Sequence, residues 1–418
     1  MRIAIDRERF VETMQEQAEI GAIDGRGLDR LTLTDADREV RDWFRDQMEA
    51  AGLDIRVDEM GNMFGRRPGR DPEAGTILLG SHLDSQPRGG IYDGPLGVVA
   101  ALEFVQTLED EDIETERPVE IVNWTNEEGS RFQPAMMSSG VWAGEIARDD
   151  AYETTDAEGR RFVDELERIG YRGDIPAKPQ HDYDSYLELH IEQGPYLDEE
   201  DRDVGIVTGI VALRWGEVTF QGQANHSGTT PMNHRNDALV AASDVITQIR
   251  RIPGTLGERT VGTVGDLEVE PGSINVVPEE VRFTVDIRDP DDAVADEAVE
   301  RVKAEIVAAA EREGVEWEYE ERMKAKSVSF ADRCVDAVRN AVSDLEYDGR
   351  EFISGAGHDA TYAASVCDTA MAFAVSEDGK SHSPAEYTSW EDCYKAANTL
   401  ANAALDLAGV TEDGAAGE

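Results

Sequence analysis

Histidines and carboxylates that follow apolar segments are the residues of this chain best suited to catalytic chemistry. His82 ends the apolar run GTILLGSH, and Asp84 stands two residues further on. Alternation along an extended chain would place both side chains on one face. A carboxylate there can hold the second ring nitrogen of the histidine and so fix the tautomer that a metal ligand needs. The pattern therefore predicts that His82 binds a metal with support from Asp84.

A pair of adjacent glutamates, Glu127 and Glu128, follows the apolar run VEIVNW. Their side chains cannot both point the same way, so one is free to bind a metal while the other faces the substrate as a general acid and base. Asp93 lies in the glycine-rich segment GGIYDGPLG, where it caps the following helix, binds a metal or does both. A dinuclear centre requires a bridging carboxylate and terminal ligands that hold two metals about 3.5–4 Å apart. Five residues supply such a set: His82, Asp93, Glu128, His190 and His382.

Three apolar segments that end in polar residues indicate where these side chains meet. GTILLGSHLD, PVEIVNWTNEEG and DSYLELHIEQGP read as buried strands, and segments of helical periodicity stand between them. Open α/β sheets hold their active sites at the carboxyl ends of the strands. The sequence thus predicts an α/β catalytic domain with its site at that end of the sheet.

A different order of elements interrupts this alternation between residues 209 and 326. The predicted order there is strand, helix, strand, strand, helix, strand, which is the ferredoxin-like pattern. The stretch RTVGTVGDLEVE is expected to form one of these strands. We therefore expect a discontinuous catalytic domain, residues 1–208 and 327–418, with an inserted domain at residues 209–326. The tail TEDGAAGE is expected to be disordered.

Charge is the exceptional feature of the composition. The 418 residues include 40 Lys and Arg against 89 Asp and Glu, which gives a formal net charge of −49 at pH 7. Nucleic acids and anionic membranes require clustered cations, so this charge argues against both as partners. The acidic residues are spread along the whole chain. We expect a halophilic protein, because molar salt shortens the Debye length to about 3 Å and weakens self-repulsion.

Cysteine usage and the first residues of the chain predict the compartment. Cys334, Cys367 and Cys393 form an odd set without regular spacing, which argues against a disulfide framework and for a reducing environment. The opening MRIAIDRERFVETMQ carries charges every few residues and no apolar core, so we expect no signal peptide. The longest apolar stretch is too short to span a bilayer. These features predict a cytoplasmic protein.

Eight motifs occur in order along most of the chain: GSHLDSQPRGGIYDGPLGVVAALE, NEEGSRF, ELHIEQGP, ANHSGTTPM, GSINVVP, DIRD, SGAGHDA and SHSPAEYT. As a set they resemble the hydantoinase/carbamoylase amidases, a branch of the zinc aminopeptidase-like metallohydrolases. This branch includes N-carbamoyl-L-amino-acid hydrolases, β-ureidopropionases and allantoate amidohydrolases. The resemblance implies a dimetal catalytic domain with an inserted lid and dimerisation domain, and hence a homodimer.

The resemblance also implies roles for single residues in the catalytic step. Two divalent ions (zinc, manganese, cobalt or nickel) would be held by His82, Asp93, Glu128, His190 and His382, with Asp93 as the bridge. Asp84 would be the carboxylate behind His82. Glu127 would be the general base that takes a proton from the attacking water and returns it to the leaving nitrogen. His181 and His234 receive no catalytic role.

Substrate binding is implied for a second group of residues. His226 would steady the oxygen of the tetrahedral intermediate, in its own subunit or across a dimer interface. The substrate carboxylate would be held by Gln193, Asn275, Arg288, Gly357 and His358. For Arg288 the alternative is a salt bridge along a surface strand. Gln86 and Arg88, in the loop SHLDSQPRGG, are expected to line the pocket and to influence specificity.

The predicted reaction is removal of the N-carbamoyl group from N-carbamoyl-L-amino acids, which yields the amino acid, carbon dioxide and ammonia. An allantoate amidohydrolase or a β-ureidopropionase would use the same site. The motif EEGSRF argues against an N-acyl deacylase or peptidase. A metal-free binding protein is disfavoured because every predicted ligand and Glu127 are present.

Overall fold

Two compact units make up the chain in the computed structural model, which describes residues 1–410. The tail TEDGAAGE, expected to be disordered, lies outside the described residues. One unit combines Met1–Gly209 with the chain from Ser329 onward, and the other is Ile210–Val328. Both mix helices and strands, as predicted for an α/β protein.

Helices and strands alternate through the first part of the chain. The helices are α1 (Arg7–Glu19), α2 (Asp35–Ala50), α3 (Pro95–Asp110), α4 (Met137–Ala143), α5 (Arg148–Glu153), α6 (Phe162–Ile169) and α7 (Tyr196–Glu199). The strands are β1 (Asp54–Val57), β2 (Met63–Arg67), β3 (Thr76–His82), β4 (Val119–Trp124), β5 (Tyr183–Ile191) and β6 (Val204–Ile210).

The middle and last parts of the chain add the remaining elements. The middle contains β7 (Ala212–Gln221), β8 (Asn225–His226), α8 (Ala238–Arg251), β9 (Val261–Thr263), β10 (Leu267–Glu270), β11 (Val276–Val277), β12 (Glu280–Asp289), α9 (Asp292–Glu313) and β13 (Glu316–Ala325). The last part contains β14 (Val328–Ser329), α10 (Asp332–Asp344), β15 (Gly349–Ser354), α11 (Ala360–Ala363), β16 (Asp368–Ala374) and α12 (Trp390–Ala408).

A nine-stranded sheet forms the centre of the first unit. Its order is β1-β2-β4-β3-β5-β16-β6-β14, and β15 also pairs with β6. Strands β4, β3, β5 and β16 run parallel. All residues of β3 and β4 are buried, which fits central parallel strands covered on both faces. The carboxyl ends of these strands therefore lie together, as the sequence predicts.

Helix α3 packs closely on this sheet because of a glycine. A Cβ on Gly97 would collide with the carbonyl oxygen of Leu189 in β5 and would approach Ser81 Cβ to 2.8 Å. The helix begins at Pro95 and most of its residues are buried. This close contact fixes the start of α3 beside the ends of β3 and β5.

The second unit has its own antiparallel sheet and core. The order of the sheet is β10-β12-β7-β13, and β9 also pairs with β12. Alternate residues of β12 are buried, so one face is covered while the other is solvated. Helices α8 and α9 supply the covering side chains. A separate two-stranded sheet joins β8 to β11.

The stretch RTVGTVGDLEVE, expected to form one strand, is two short strands, β9 and β10. Between them the backbone N–H groups of Gly265 and Asp266 donate to Thr284 Oγ1, at 3.2 and 3.0 Å. Thr284 N–H still donates to the Asp266 carbonyl at 3.2 Å, but the Thr284 side chain takes the two N–H groups, so the regular ladder is interrupted. In the part of the chain that the structure describes, no helix has the length and apolar character needed to cross a bilayer.

Candidate metal centre

The predicted metal ligands converge at the carboxyl ends of the central strands. His82 is the last residue of β3, and His190 is the last but one of β5. Asp93 lies in the loop before α3, and this loop approaches His82 closely. A Cβ on Gly94, whose φ is +83°, would collide with the His82 ring. Glycine at this position therefore allows Asp93 and His82 to share one site.

Two groups of side chains in this region have the composition and spacing of metal sites. The first consists of His82, Asp93 and His190, and the second of Asp93, Glu128 and His382. The ligand atoms of each group lie within 4.8 Å of one another. Asp93 belongs to both groups, which is the arrangement expected of a bridging carboxylate.

The first group is buried and tightly spaced. Asp93 Oδ1 lies 3.1 Å from His190 Nε2 and 3.6 Å from His82 Nε2. The Nδ1 atoms of the two rings face backbone carbonyl oxygens, of Ile191 at 3.0 Å and of Asp84 at 2.9 Å. A carbonyl only accepts hydrogen bonds, so each Nδ1 carries a proton. In the neutral rings, both Nε2 lone pairs therefore face Asp93.

The second group uses the other oxygen of the same carboxylate. His382 Nε2 lies 3.3 Å from Asp93 Oδ2 and 3.7 Å from Glu128 Oε2. Glu128 is in turn held by Gln86, whose side-chain amide donates to Oε2 at 2.8 Å and whose backbone N–H donates to Oε1 at 3.0 Å. The His382 side chain is half exposed, whereas Asp93 and Glu128 are almost fully buried.

The donor atoms fit a divalent cation. His82 Nε2 is buried, and among the described residues it has no hydrogen-bond partner. Its nearest charged neighbours are carboxylate oxygens, Asp93 Oδ1 and Glu127 Oε2, the latter at 3.5 Å. A lone pair that faces carboxylates is satisfied by a cation between them. Histidine and carboxylate ligands suit zinc, manganese, cobalt or nickel.

Burial shifts the ionisation of the carboxylates. It raises the pKa of Glu127 well above its usual value, with help from the neighbouring charge of Asp359. Burial, together with the charge of Asp93, also raises the pKa of Glu128 to about 8. Burial acts in the same direction on Asp93, but the adjacent histidines outweigh it and hold the pKa of Asp93 well below its usual value. Asp93 is therefore the carboxylate of the cluster that ionises most readily.

The histidines respond to burial and to Asp93 in different degrees. Burial lowers the pKa of His82 to about 4. For His190 and His382 burial acts in the same direction, but the interaction with Asp93 prevails and raises each pKa to about 9. Each of these two rings faces a different oxygen of Asp93, His190 at Oδ1 and His382 at Oδ2.

Asp84 departs from its predicted contact. Its backbone carbonyl, not its carboxylate, meets the second ring nitrogen of His82, and the nearest carboxylate oxygen is 3.8 Å away. The physical reason is that β3 ends at His82, so strand alternation does not continue to Asp84. The Asp84 carboxylate instead accepts from the backbone N–H groups of Glu127 and Glu128, at 3.3 Å each. Asp84 thus positions the glutamate pair.

Three residues matched to substrate binding lie in the same unit as the metal ligands. Gln193 Nε2 donates to Asp93 Oδ2 at 2.7 Å and lies 3.3 Å from His382 Nε2. The buried ring of His358 packs against His190 with 4.5 Å between centroids. Gly357 precedes it in the loop between β15 and α11. The structure therefore brings these residues to the metal-ligand cluster or beside it.

The other matched residues lie in the second unit. His226 and Asn275 are brought together, because Ser227 N–H donates to the Asn275 carbonyl at 3.0 Å. His226 is exposed, and its Nδ1 accepts from the backbone N–H groups of Gly228 and Thr229 at 3.0 and 3.3 Å. In the neutral ring the proton is therefore on Nε2.

Arg288 lies on β12 of the five-stranded sheet. Its guanidinium binds the Asp286 carboxylate on the same strand at 2.8 Å. This contact is the strand salt bridge considered as the alternative to substrate binding. The role of Arg288 toward the substrate stays a prediction.

Two residues near Asp93 were not singled out from the sequence. Ser381 Oγ lies 2.9 Å from Asp93 Oδ2, and Glu386 accepts from the Asp93 backbone N–H at 3.2 Å. Their only sequence signal is membership of the motif SHSPAEYT, in which only His382 received a role. Gln86, expected to line the pocket, is bound to Glu128.

Comparisons with known proteins identify relatives that are similar over nearly the whole chain. The family described as peptidase family M20/M25/M40 matches residues 78–406. An N-carbamoyl-L-amino-acid amidohydrolase of Rhizobium meliloti is 42% identical over 410 residues, 98% of this chain and 98% of that protein. An allantoate amidohydrolase of Escherichia coli K12 is 33% identical over 96% of this chain and 98% of that protein. The crystal structure of a hydantoinase/carbamoylase family amidase from Burkholderia vietnamiensis superposes with a TM-score of 0.91 at 43% identity, covering 97% of this chain and 98% of that one.

Proposed function

Because the chain belongs to peptidase family M20/M25/M40, we propose that it is a metal-dependent amidohydrolase that removes the N-carbamoyl group from N-carbamoyl-L-amino acids. The family predicted from the motifs is confirmed, and so is the prediction of an enzyme that hydrolyses C–N amide bonds. The observation that carries the proposal is the pair of histidine–carboxylate groups that share Asp93, with Glu127 beside them. Allantoate is the second candidate substrate, since an allantoate amidohydrolase is similar over nearly the whole length.

We propose that the centre holds two divalent ions. His82, Asp93 and His190 would bind one, and Asp93, Glu128 and His382 the other. Such ions, when bound, polarise a carbonyl group and lower the pKa of a bound water molecule toward neutrality. The geometry of Asp93 supports this assignment, because its two oxygens face different groups.

Glu127 is the proposed general base and acid. It takes a proton from the water that attacks the ureido carbonyl and gives a proton to the leaving nitrogen. The position of this buried carboxyl supports the role, because its Oε2 lies 3.5 Å from His82 Nε2, at the edge of the proposed metal centre. The Asp84 carboxylate fixes the backbone of Glu127 and so aims its side chain.

We propose substrate-binding roles for the residues that the family motifs match. His226 would donate from Nε2 to the oxygen of the tetrahedral intermediate, and its two backbone contacts at Nδ1 support the required tautomer. The substrate carboxylate would be held by Gln193, Asn275, Arg288, Gly357 and His358. Arg288 would contribute its planar guanidinium, whose two parallel N–H donors match the two oxygens of a carboxylate.

The second unit is proposed to be a ferredoxin-like lid that also forms a homodimer. The order β7-α8-β10-β12-α9-β13 along the chain supports the fold assignment. Equilibrium sedimentation of the full chain tests the dimer: a mass of 92 kDa, twice the 46.0 kDa of one chain, is expected, whereas 46.0 kDa would contradict it.

The surface charge is proposed to be an adaptation to a salt-rich cytoplasm. The net charge of −49 supports this, because concentrated salt screens the repulsion between carboxylates. Thermal unfolding should therefore shift to higher temperature as KCl increases from about 0.1 to 1 M. An unchanged or falling midpoint would oppose the halophilic assignment.

The substrate is identified by ammonia release in molar KCl with added manganese or zinc. N-carbamoyl-L-methionine, its D isomer, N-carbamoyl-β-alanine and allantoate are compared side by side. A dipeptide panel is assayed in parallel by the release of free amino acids, because peptide cleavage yields no ammonia. Preference for the L isomer is the expected result. Preference for allantoate would keep the site assignment and change the substrate, while cleavage of peptides alone would overturn the amidohydrolase activity. Metal-stripped protein is the control.

A further inference from the structure

We propose that Glu386, acting with Ser381, is a positioning residue. It fixes the position of Asp93 relative to His382 and so maintains the second of the two metal-binding groups. The inference rests on the proposed dinuclear centre. It assigns a role to the acidic residue of the motif SHSPAEYT, which the proposed reaction does not use.

Glu386 binds two of the three loops that carry ligands of the second group, those of Asp93 and His382. Its Oε1 accepts from the backbone N–H groups of Tyr92 and Asp93, at 3.1 and 3.2 Å. Its Oε2 lies 3.1 Å from Ser381 Oγ, and Ser381 directly precedes His382. One buried carboxylate, 1% exposed, therefore ties the Asp93 loop to the His382 loop.

Ser381 extends this connection to the side chain of Asp93. Its hydroxyl lies 2.9 Å from Asp93 Oδ2 and 3.1 Å from Glu386 Oε2, and its single proton can be donated to only one of them at a time. Asp93 is thus held at its backbone by Glu386 and at its side chain by Ser381. Glycine at position 90 leaves the space that the Glu386 carboxyl group occupies, because a Cβ on Gly90 would collide with it.

The second group depends on such support more than the first. His82 and His190 lie on adjacent strands β3 and β5, with their Nδ1 atoms held by backbone carbonyls. His382 lies in a loop and is half exposed, and within residues 1–410 no backbone carbonyl holds its ring in that way. Asp93 belongs to both groups, so loss of Glu386 should weaken the second site strongly and the first site less, because His82 and His190 remain held by their strands.

Metal binding to the full-length protein tests the inference directly. Zinc affinity is measured by competition with a chelating dye, and the visible absorption of the Co²⁺-loaded protein reports the coordination of each site. The wild-type chain should bind two ions. Glu386→Ala should weaken the binding of one ion by about 10- to 100-fold, the range for loss of a residue that orients a ligand. The Co²⁺ band of that site should change more than the band of the other site.

Three further variants separate positioning from general loosening. Glu386→Gln should restore both sites, because its amide oxygen still accepts from Tyr92 and Asp93 and its NH₂ group can donate to Ser381. Ser381→Ala should weaken the same site, and it replaces Glu386→Ala as the test variant if that protein does not fold.

Asp58 is a matched control: it is buried and accepts from two backbone N–H groups, those of Met60 and Asn62, in a turn outside the cluster. Asp58→Ala should lower stability without changing metal affinity.

The outcomes are distinguishable. Two ions bound with wild-type affinity by Glu386→Ala or by a folded Ser381→Ala would overturn the positioning role. Equal metal loss in Asp58→Ala would overturn it as well, since the effect would then be loss of stability. Fewer than two ions in the wild-type chain would instead refute the dinuclear centre on which the proposed function relies.

Discussion

Gln86 holds Glu128 at both carboxylate oxygens, by its side-chain amide at 2.8 Å and by its backbone N–H at 3.0 Å. The contact fixes the orientation of a proposed metal ligand. Gln86→Ala removes the side-chain bond, so zinc affinity should fall by about 10-fold in a competition assay. Arg88→Ala, at an exposed position in the same loop, is the matched control and should leave affinity unchanged. Equal losses in both variants would show that the loop as a whole, rather than the Gln86 contact, matters.

Glu127→Gln should retain fold and metal but lose turnover by about 10²- to 10⁴-fold, because the amide cannot take a proton from water. Ammonia release gives the rate, and elemental analysis gives the metal content. Glu114→Gln, at an exposed position, controls for the loss of one carboxylate and should keep the wild-type rate. A Glu127→Gln enzyme of near wild-type activity would remove Glu127 from proton transfer.

The strands that carry this site were predictable from the sequence. β3, β4 and β5 are buried along almost their whole length, so apolar residues recur through their sequences, and His82, the glutamate pair and His190 stand at or just beyond their ends. Short strands such as β1 and β15 lack that signal because most of their residues are only partly buried or exposed. They were not predicted.

Contacts between loops were the part that the sequence could not supply. Asp84 was expected to face the His82 ring because alternation was extended beyond the end of β3, where the chain turns. The bond from Gln86 to Glu128 joins two loops, and neither periodicity nor propensity encodes such a pairing. The same holds for Glu386 and Asp93, which are distant in sequence and meet only in the folded chain.

Metal binding should release protons at neutral pH. In the metal-free protein the pKa values of His190 and His382 are raised to about 9 and that of Glu128 to about 8, so the cluster holds these protons at pH 7. A cation needs the deprotonated ligands, so it displaces the protons. Apparent affinity should therefore rise as the pH increases from about 7 to 9 and level off above that.

Calorimetric titration of metal-stripped protein with zinc in two buffers of different ionisation enthalpy counts these protons. The number released should be greatest near pH 7 and should fall toward zero above pH 9, because the ligands are then already deprotonated. A metal affinity and a proton count that do not vary across this range would contradict the ionisation of the cluster described above.

Arg288 provides the sharpest test of carboxylate recognition. Its guanidinium is already paired with Asp286, so the substrate would have to compete with that carboxylate or share the fork. Loss of a charged hydrogen bond costs about 1.5–3 kcal/mol, so Arg288→Ala should raise KM for N-carbamoyl-L-amino acids by about 10- to 100-fold. The metal content should be unchanged.

Arg282→Ala is the matched control. Arg282 lies on the same strand as Arg288, an even number of residues away and therefore on the same face, and it also pairs with glutamates. An Arg288→Ala enzyme with unchanged KM would leave Arg288 only its structural role in the Asp286 salt bridge.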